Sequence, residues 1–193
     1  IKHDKVFVSG NINLHKPLDN GIEQIERLTE FLSENTKYIY LNLGSMSQKI
    51  NNELIYIYFK AFENIDCKVI IGCNREEQPT NNKFFYCSSI NHHQLFPKMS
   101  LIIQCGGLGT VFKAAYYGVP QLIIPKNFEE PFWAEKIKEL GIGSSINFSD
   151  LNSENLGNSV KDILKSPRVY HNAKVVSKSI DINGVKNIYD ILI

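Results

Sequence analysis

Hydrophobic positions along the chain follow two rhythms: short continuous apolar runs alternate with longer stretches in which apolar residues recur every three or four positions. The first rhythm marks buried strands and the second amphipathic helices. Strands are expected over 5–9 (KVFVS), 38–43 (YIYLNL), 67–71 (CKVII), 84–87 (FFYC), Leu101–Gln104 (LIIQ) and 121–124 (QLII). Helical spacing places Ile22, Ile25, Leu28 and Leu32 on one face of a helix over 21–34. It does the same for Leu54, Ile55, Tyr58, Phe59 and Phe62 in a helix capped by Asn51 or Asn52 that runs to about 64. A short helical turn within 88–100 points Leu95, Phe96 and Met99 inward. Further helices are expected from Thr110 to Gly118, over 131–140, from an Asp150 or Ser153 cap through Leu164, and from Pro167 to about Ile180. The polar stretch 75–82, with Pro79, reads as a loop.

Strands alternating with helices imply an α/β fold, a Rossmann-like doubly wound parallel sheet with helices on both faces. No internal repeat or linker divides the chain, so residues 1–193 are expected to form one domain. The formal net charge of +1 creates no field that would recruit nucleic acid. Four cysteines without a CxxC lie on or beside expected strands and read as buried thiols of a reducing compartment. No apolar run nears the roughly 20 residues of a membrane span, and the first residues lack a signal-peptide core, so a cytoplasmic setting is expected. The chain starts at Ile1 and not at Met, which reads as a piece of a longer protein.

The informative chemistry lies between Leu101 and Trp133. The strand Leu101–Gln104 runs into Cys105 and a turn with Gly106, Gly107 and Gly109, followed at once by the next helix. Such a turn lets backbone N–H groups approach an anion, and a helix start adds partial positive charge. A tight turn that only packs helix against sheet would use the same glycines. A second small-residue loop, Gly44-Ser45, also follows a strand and precedes a helix. In an open α/β sheet both loops face one crevice beyond the C-terminal ends of the strands. There is no Asp-x-Asp metal pair, and His92-His93 has no ligand-spaced companions, so no metal site is expected.

The whole stretch reads QCGGLGT, then Gly118-Val119-Pro120-Gln121, then Glu129-Glu130-Pro131-Phe132-Trp133. In order and spacing it resembles the donor-binding segment of GT-B glycosyltransferases of the UDP-glycosyltransferase type, closest to sterol glucosyltransferases and bacterial macrolide glycosyltransferases. The resemblance implies the C-terminal, nucleotide-sugar-binding half of a GT-B fold, with a last helix over 184–192. It implies transfer of a sugar from a UDP-sugar to a hydroxyl of a small-molecule or lipid acceptor, with inversion and without a metal or other cofactor. The acceptor site and general base would belong to an N-terminal domain or partner subunit, and this chain alone would be inactive.

Residue by residue, the resemblance assigns the diphosphate to Gly44, Ser45, Cys105, Gly106, Gly107, Leu108, Gly109 and Thr110. The base or ribose falls to His92, Gln94 and Leu95, and the donor sugar to Glu129 and Glu130. Thr110 could equally be an ordinary N-cap, and Glu130 an ordinary helix-start carboxylate. Cys105 stands where the family has a phosphate-binding histidine, and a neutral thiol donates poorly, so either donor affinity is lower or Gln104 or Ser45 compensates. Gln94 replaces a common aromatic residue, and Glu129-Glu130 replaces Asp-Gln, which bears on sugar preference. Trp133 is expected in the core. Rival readings are a MurG-like N-acetylglucosaminyl transferase, including the kind that works as a separate donor subunit, and a non-catalytic nucleotide-sugar-binding module. A dinucleotide oxidoreductase is disfavoured because no GxGxxG follows the first strand.

Overall fold

Each apolar run that the structure describes forms a strand buried on both faces, and the strands assemble side by side in parallel. The computed structural model describes residues 22–33, 35–42, 52–72, 81–87 and 90–180. The expected strand over 5–9, the helix over 184–192, Cys73 and the Gly44-Ser45 loop lie outside these residues. In chain order the elements are α1 (Ile22–Phe31), β1 (Tyr38–Asn42), α2 (Asn52–Phe62), β2 (Lys68–Gly72), β3 (Phe84–Cys87) and α3 (His92–Leu95), which tightens into a 3-10 turn over Phe96–Lys98. Then come β4 (Leu101–Gln104), α4 (Leu108–Tyr116), β5 (Gln121–Ile123), α5 (Glu130–Glu139), β6 (Gly143–Ser145), α6 (Ser153–Lys165) and α7 (Pro167–Ser177).

The sheet order is β3-β2-β1-β4-β5-β6, with every pairing parallel. Chain order therefore reverses between β1 and β4, where Leu41 stands beside Ile103. Strand alternation divides the core. Ile39, Leu41, Val69, Ile71, Leu101 and Ile103 meet Phe62 of α2 and Leu156 and Val160 of α6. On the other face Tyr38, Tyr40, Ile70 and Ile102 meet Phe31 of α1, Leu95, Phe96 and Ala114 of α4. Ile123 continues that face against α4, α5 and α7 through Val111, Ala134, Ile137 and Ala173, with Trp133 packed at its margin. Cys67 and Cys87 are buried. No helix among the described residues is long and apolar enough to cross a membrane.

Three expectations need correction. β6 has no apolar run to announce it: Gly143, Ser144 and Ser145 pair with Gln121, Leu122 and Ile123. A Cβ on Gly143 would fall 1.8 Å from the Gln121 carbonyl oxygen, so this strand depends on a missing side chain. The cap of α6 is neither Asp150 nor Ser153 but Asn152, whose side chain accepts the Asn155 N–H at 2.9 Å. α4 begins at Leu108 with Gly107 as its N-cap, two residues before the expected Thr110.

Candidate donor site

The C-terminal ends of β1 and β4, where the sheet reverses, are the place an open α/β sheet leaves for a ligand. β4 is continued there by Cys105 and the glycine turn. Gly106 has φ +112, and a Cβ on it would lie 3.0 Å from the Glu130 carbonyl oxygen and 3.1 Å from the Glu130 Cα. The turn thus rests directly on the start of α5, which brings Gly106 and Glu130 together. Gly107 and Gly109 differ: no heavy atom lies within 4 Å of where their Cβ atoms would be.

Gly107 offers α4 no side-chain cap. Its carbonyl oxygen accepts the N–H groups of Thr110 at 3.0 Å and Val111 at 3.1 Å. Of the backbone amides of Leu108, Gly109 and Thr110, Thr110's is therefore already engaged inside the helix, and Thr110 is a helix residue and not its cap. Leu108 and Gly109, both exposed, carry the first-turn amides that a helix leaves without an intrahelical partner.

Cys105 is half-buried, and burial pushes its thiol above the ordinary range, with the Lys126 ammonium opposing and the Glu130 carboxylate reinforcing the shift. It is a neutral thiol at physiological pH. Gln104 cannot stand in for the family's histidine. It is 3% exposed, and its Nε2 donates to Gln121 Oε1 at 2.7 Å. Gln121 Nε2 in turn donates to the Val111 carbonyl at 3.2 Å, so the two glutamines tie β4, β5 and α4 together. Sequence reasoning gave Gln121 no role. Ser45, the other residue that could compensate, lies with Gly44 outside the described residues.

His92 sits on the other side of β1. Its ring stacks on Phe96 at 4.5 Å between centroids and meets the edge of Tyr40 at 5.4 Å, with Nε2 3.3 Å from the Tyr40 hydroxyl. Burial, then Lys113 and His93, lowers its pKa to about 4, so the ring is neutral. The Tyr40 hydroxyl lies over Gly72, at the C-terminal end of β2. His92 is therefore at the same end of the sheet as the glycine turn. Gln94 is exposed. Leu95 is 1% exposed, its side chain in the core as the sequence expects, so only its backbone could meet a ligand.

The two glutamates behave differently. Glu129 is exposed at the N-cap of α5, and no hydrogen bond or ion pair among the described residues engages its carboxylate. Glu130 turns back on its own loop, its Oε2 accepting the Lys126 N–H at 2.7 Å and the Asn127 N–H at 3.0 Å. Lys126, whose Nζ lies 5.3 Å from the centre of the Phe148 ring, was not singled out from the sequence. It follows β5 just as Gly106 follows β4, since the Ile124 N–H donates to the Gln104 carbonyl at 2.8 Å.

Among the described residues no three His, Cys, Asp or Glu side chains gather where they could hold a metal ion. A groove of about 730 Å³ opens elsewhere, between α2 and the residues leading into β3, lined by Tyr56, Phe59, Lys60 and Lys83 among others. No expected site residue borders it.

The family described as "Erythromycin biosynthesis protein CIII-like, C-terminal domain" matches residues 59–181, more than half of the chain. The "UDP-sugar-dependent glycosyltransferase 52" of Dictyostelium discoideum is 32% identical over 120 residues, which is 62% of this chain and 7% of that protein. The "Sterol 3-beta-glucosyltransferase" of Pichia angusta is 27% identical over 168 residues, 80% of this chain and 13% of that protein. The chain thus spans a small part of these relatives. Among solved structures, glycosyltransferase VinC in complex with DTDP superposes with a TM-score of 0.72 at 24% identity, covering 84% of this chain and 43% of VinC. Matching sequence family and shared fold agree with the six-stranded parallel sheet and its glycine turn: the chain belongs to the erythromycin biosynthesis protein CIII-like C-terminal domains of GT-B glycosyltransferases.

Proposed function

We propose that this chain binds the donor of an inverting, metal-independent glycosyltransferase, with a UDP-sugar as co-substrate. The observation that carries this is the uncapped start of α4 at the strand-order reversal, where Leu108 and Gly109 present their amides beside two glycines with open space where a side chain would be. An acceptor hydroxyl attacks the anomeric carbon from the face opposite the diphosphate, the anomeric C–O bond breaks, and negative charge grows on the departing phosphate. Fixed N–H groups and the α4 dipole, with the Thr110 hydroxyl within the first turn, stabilise that charge without reorganising. The neutral Cys105 thiol lines the site without repelling the phosphate. The hydroxyl proton passes to a base on an acceptor-binding N-terminal domain or partner subunit, as the resemblance implies; among the described residues at this end of the sheet none has a claim to that role. The acceptor is a small molecule or lipid.

Thermal unfolding of the protein with UDP, other nucleoside diphosphates and UDP-sugars, in EDTA and then in magnesium, tests this. A ligand at 100 times its Kd adds about 2.7 kcal/mol, or roughly 5–10 °C at this size. A UDP shift undiminished by EDTA is the expected result. No shift with any diphosphate, or one that requires magnesium, refutes the reading.

A further inference from the structure

Glu130 occupies a position where the resemblance expects a side chain that reads the donor sugar, yet its carboxylate is turned the other way. One oxygen, Oε2, accepts two consecutive backbone amides, those of Lys126 and Asn127. The Glu130 N–H donates in turn to the Asn127 carbonyl at 3.2 Å, which closes the loop into a tight ring. Inside it Phe128 adopts φ +53, the left-handed conformation that a bulky side chain resists, and its ring is 84% exposed, so no packing holds it there. The clamp from Glu130 is what the described contacts offer to stabilise that backbone. The outer wall of the same residue carries the glycine turn, since a Cβ on Gly106 would lie 3.1 Å from both Cα and Cβ of Glu130. The turn therefore rests on the Glu130 backbone and Cβ, which alanine keeps, while the carboxylate alone holds the 126–130 loop.

We propose that Glu130 is a positioning residue: by clamping the Lys126 and Asn127 amides it fixes the loop so that Glu129, and not Glu130, is the carboxylate offered to the donor sugar. The Glu129 half of this rests on the function proposed above. The clamp half does not. It also explains why an acceptor-only carboxylate serves at position 130: two converging N–H groups need an acceptor and no donor. An amide in its place keeps one such oxygen, whereas alanine keeps none.

The experiment compares the protein with E130Q, E130A and E129Q by two readouts. The first is amide hydrogen exchange at Lys126 and Asn127 without ligand; the second is the affinity for UDP and for UDP-glucose, expressed as their ratio. E130A is expected to accelerate exchange at both amides about tenfold, the effect of losing one charge-assisted bond, and to collapse the UDP-glucose preference over UDP while UDP itself binds within about twofold of normal. E130Q is expected to retain most of both, being rescued by its carboxamide oxygen. E129Q is expected to leave exchange unchanged and to lower the UDP-glucose preference several-fold. Unchanged exchange in E130A overturns the clamp. E130Q failing as badly as E130A in the affinity ratio, or gaining UDP-glucose preference, shows that position 130 touches the sugar and overturns the assignment. An unaltered protein that binds UDP but gains nothing from glucose overturns Glu129 as the reader of those hydroxyls. One that binds no UDP sinks the proposed function, while the exchange rates still decide the clamp.

Discussion

Two adjacent glycines should respond to the same substitution in opposite ways. Gly106→Ala places a methyl group 3.0 Å from the Glu130 carbonyl oxygen on a backbone at φ +112. The conformation costs a non-glycine residue about 1–2 kcal/mol, and forcing the turn off α5 adds about 1–3 kcal/mol of overpacking. The sum, roughly 2–5 kcal/mol, lowers Tm by about 5–15 °C in a chain of this size. Gly107 has φ -64 and nothing within 4 Å of its missing Cβ, so Gly107→Ala meets no protein atom. A poorer N-cap and a stiffer unfolded chain nearly cancel, leaving the change within about 1 kcal/mol. Yet that methyl occupies the space through which a phosphate would approach the Leu108 and Gly109 amides. With UDP at 100 times the normal Kd, a hundredfold loss of affinity cuts the ligand's stabilisation from about 2.7 to about 0.4 kcal/mol. Scanning calorimetry with and without UDP reads both effects. A Gly107→Ala protein that keeps the full UDP shift would refute the anion site and leave the glycines as a turn alone; a Gly106→Ala protein as stable as the parent would refute the contact with α5.

Three other outcomes follow from the geometry. Gln104→Leu removes the donor to the buried Gln121 carboxamide and should destabilise by about 1–3 kcal/mol in urea denaturation, with part recovered when Gln121 is also made Leu. His92, with a folded pKa of about 4 against an unfolded value near 6.5, binds its proton more readily in the unfolded chain. Its contribution is therefore complete above pH 6.5 and is lost as pH falls towards 4, by about 3 kcal/mol in all. His92→Phe should flatten that part of the stability–pH curve, and an unchanged slope would mean the ring is solvated. Gly143→Ala, whose Cβ would fall 1.8 Å from the Gln121 carbonyl oxygen, should break the β5–β6 pairing at a cost of about 3–5 kcal/mol, read as loss of amide protection in β6.

What the sequence made legible was whatever a one-dimensional pattern encodes. YIYLN, KVIIG, FFYC and LIIQ are apolar on both strand faces, and that property alone implies a parallel sheet covered on both sides. β6 was missed for the converse reason, because its three small residues are selected by what they lack. Capping was legible in kind but not in address. Asp150, Asn152 and Ser153 all qualify chemically, and the choice falls to Asn152 because a 3-10 turn over Phe148–Asp150 uses up the first of them. Side-chain direction was the least legible. Nothing in the string Glu-Glu says that one carboxylate faces out and the other bends back three and four residues to its own loop.

Gln121 shows why a binding motif should not be read as a row of ligand contacts. It closes the GVPQ segment, is fully buried, and links the Gln104 side chain to the Val111 carbonyl in α4. Its bond fixes the strand that ends in the glycine turn against the helix that begins there. Two buried carboxamides thereby help to hold in place the helix whose first turn carries the Leu108 and Gly109 amides. On the proposed function, such a division of labour would also account for cysteine at position 105. When the anion is held by backbone amides of a helix anchored in this way, the side chain beside them can change from an imidazole to a neutral thiol with the cradle intact, provided it brings no negative charge, and burial keeps the Cys105 thiol protonated.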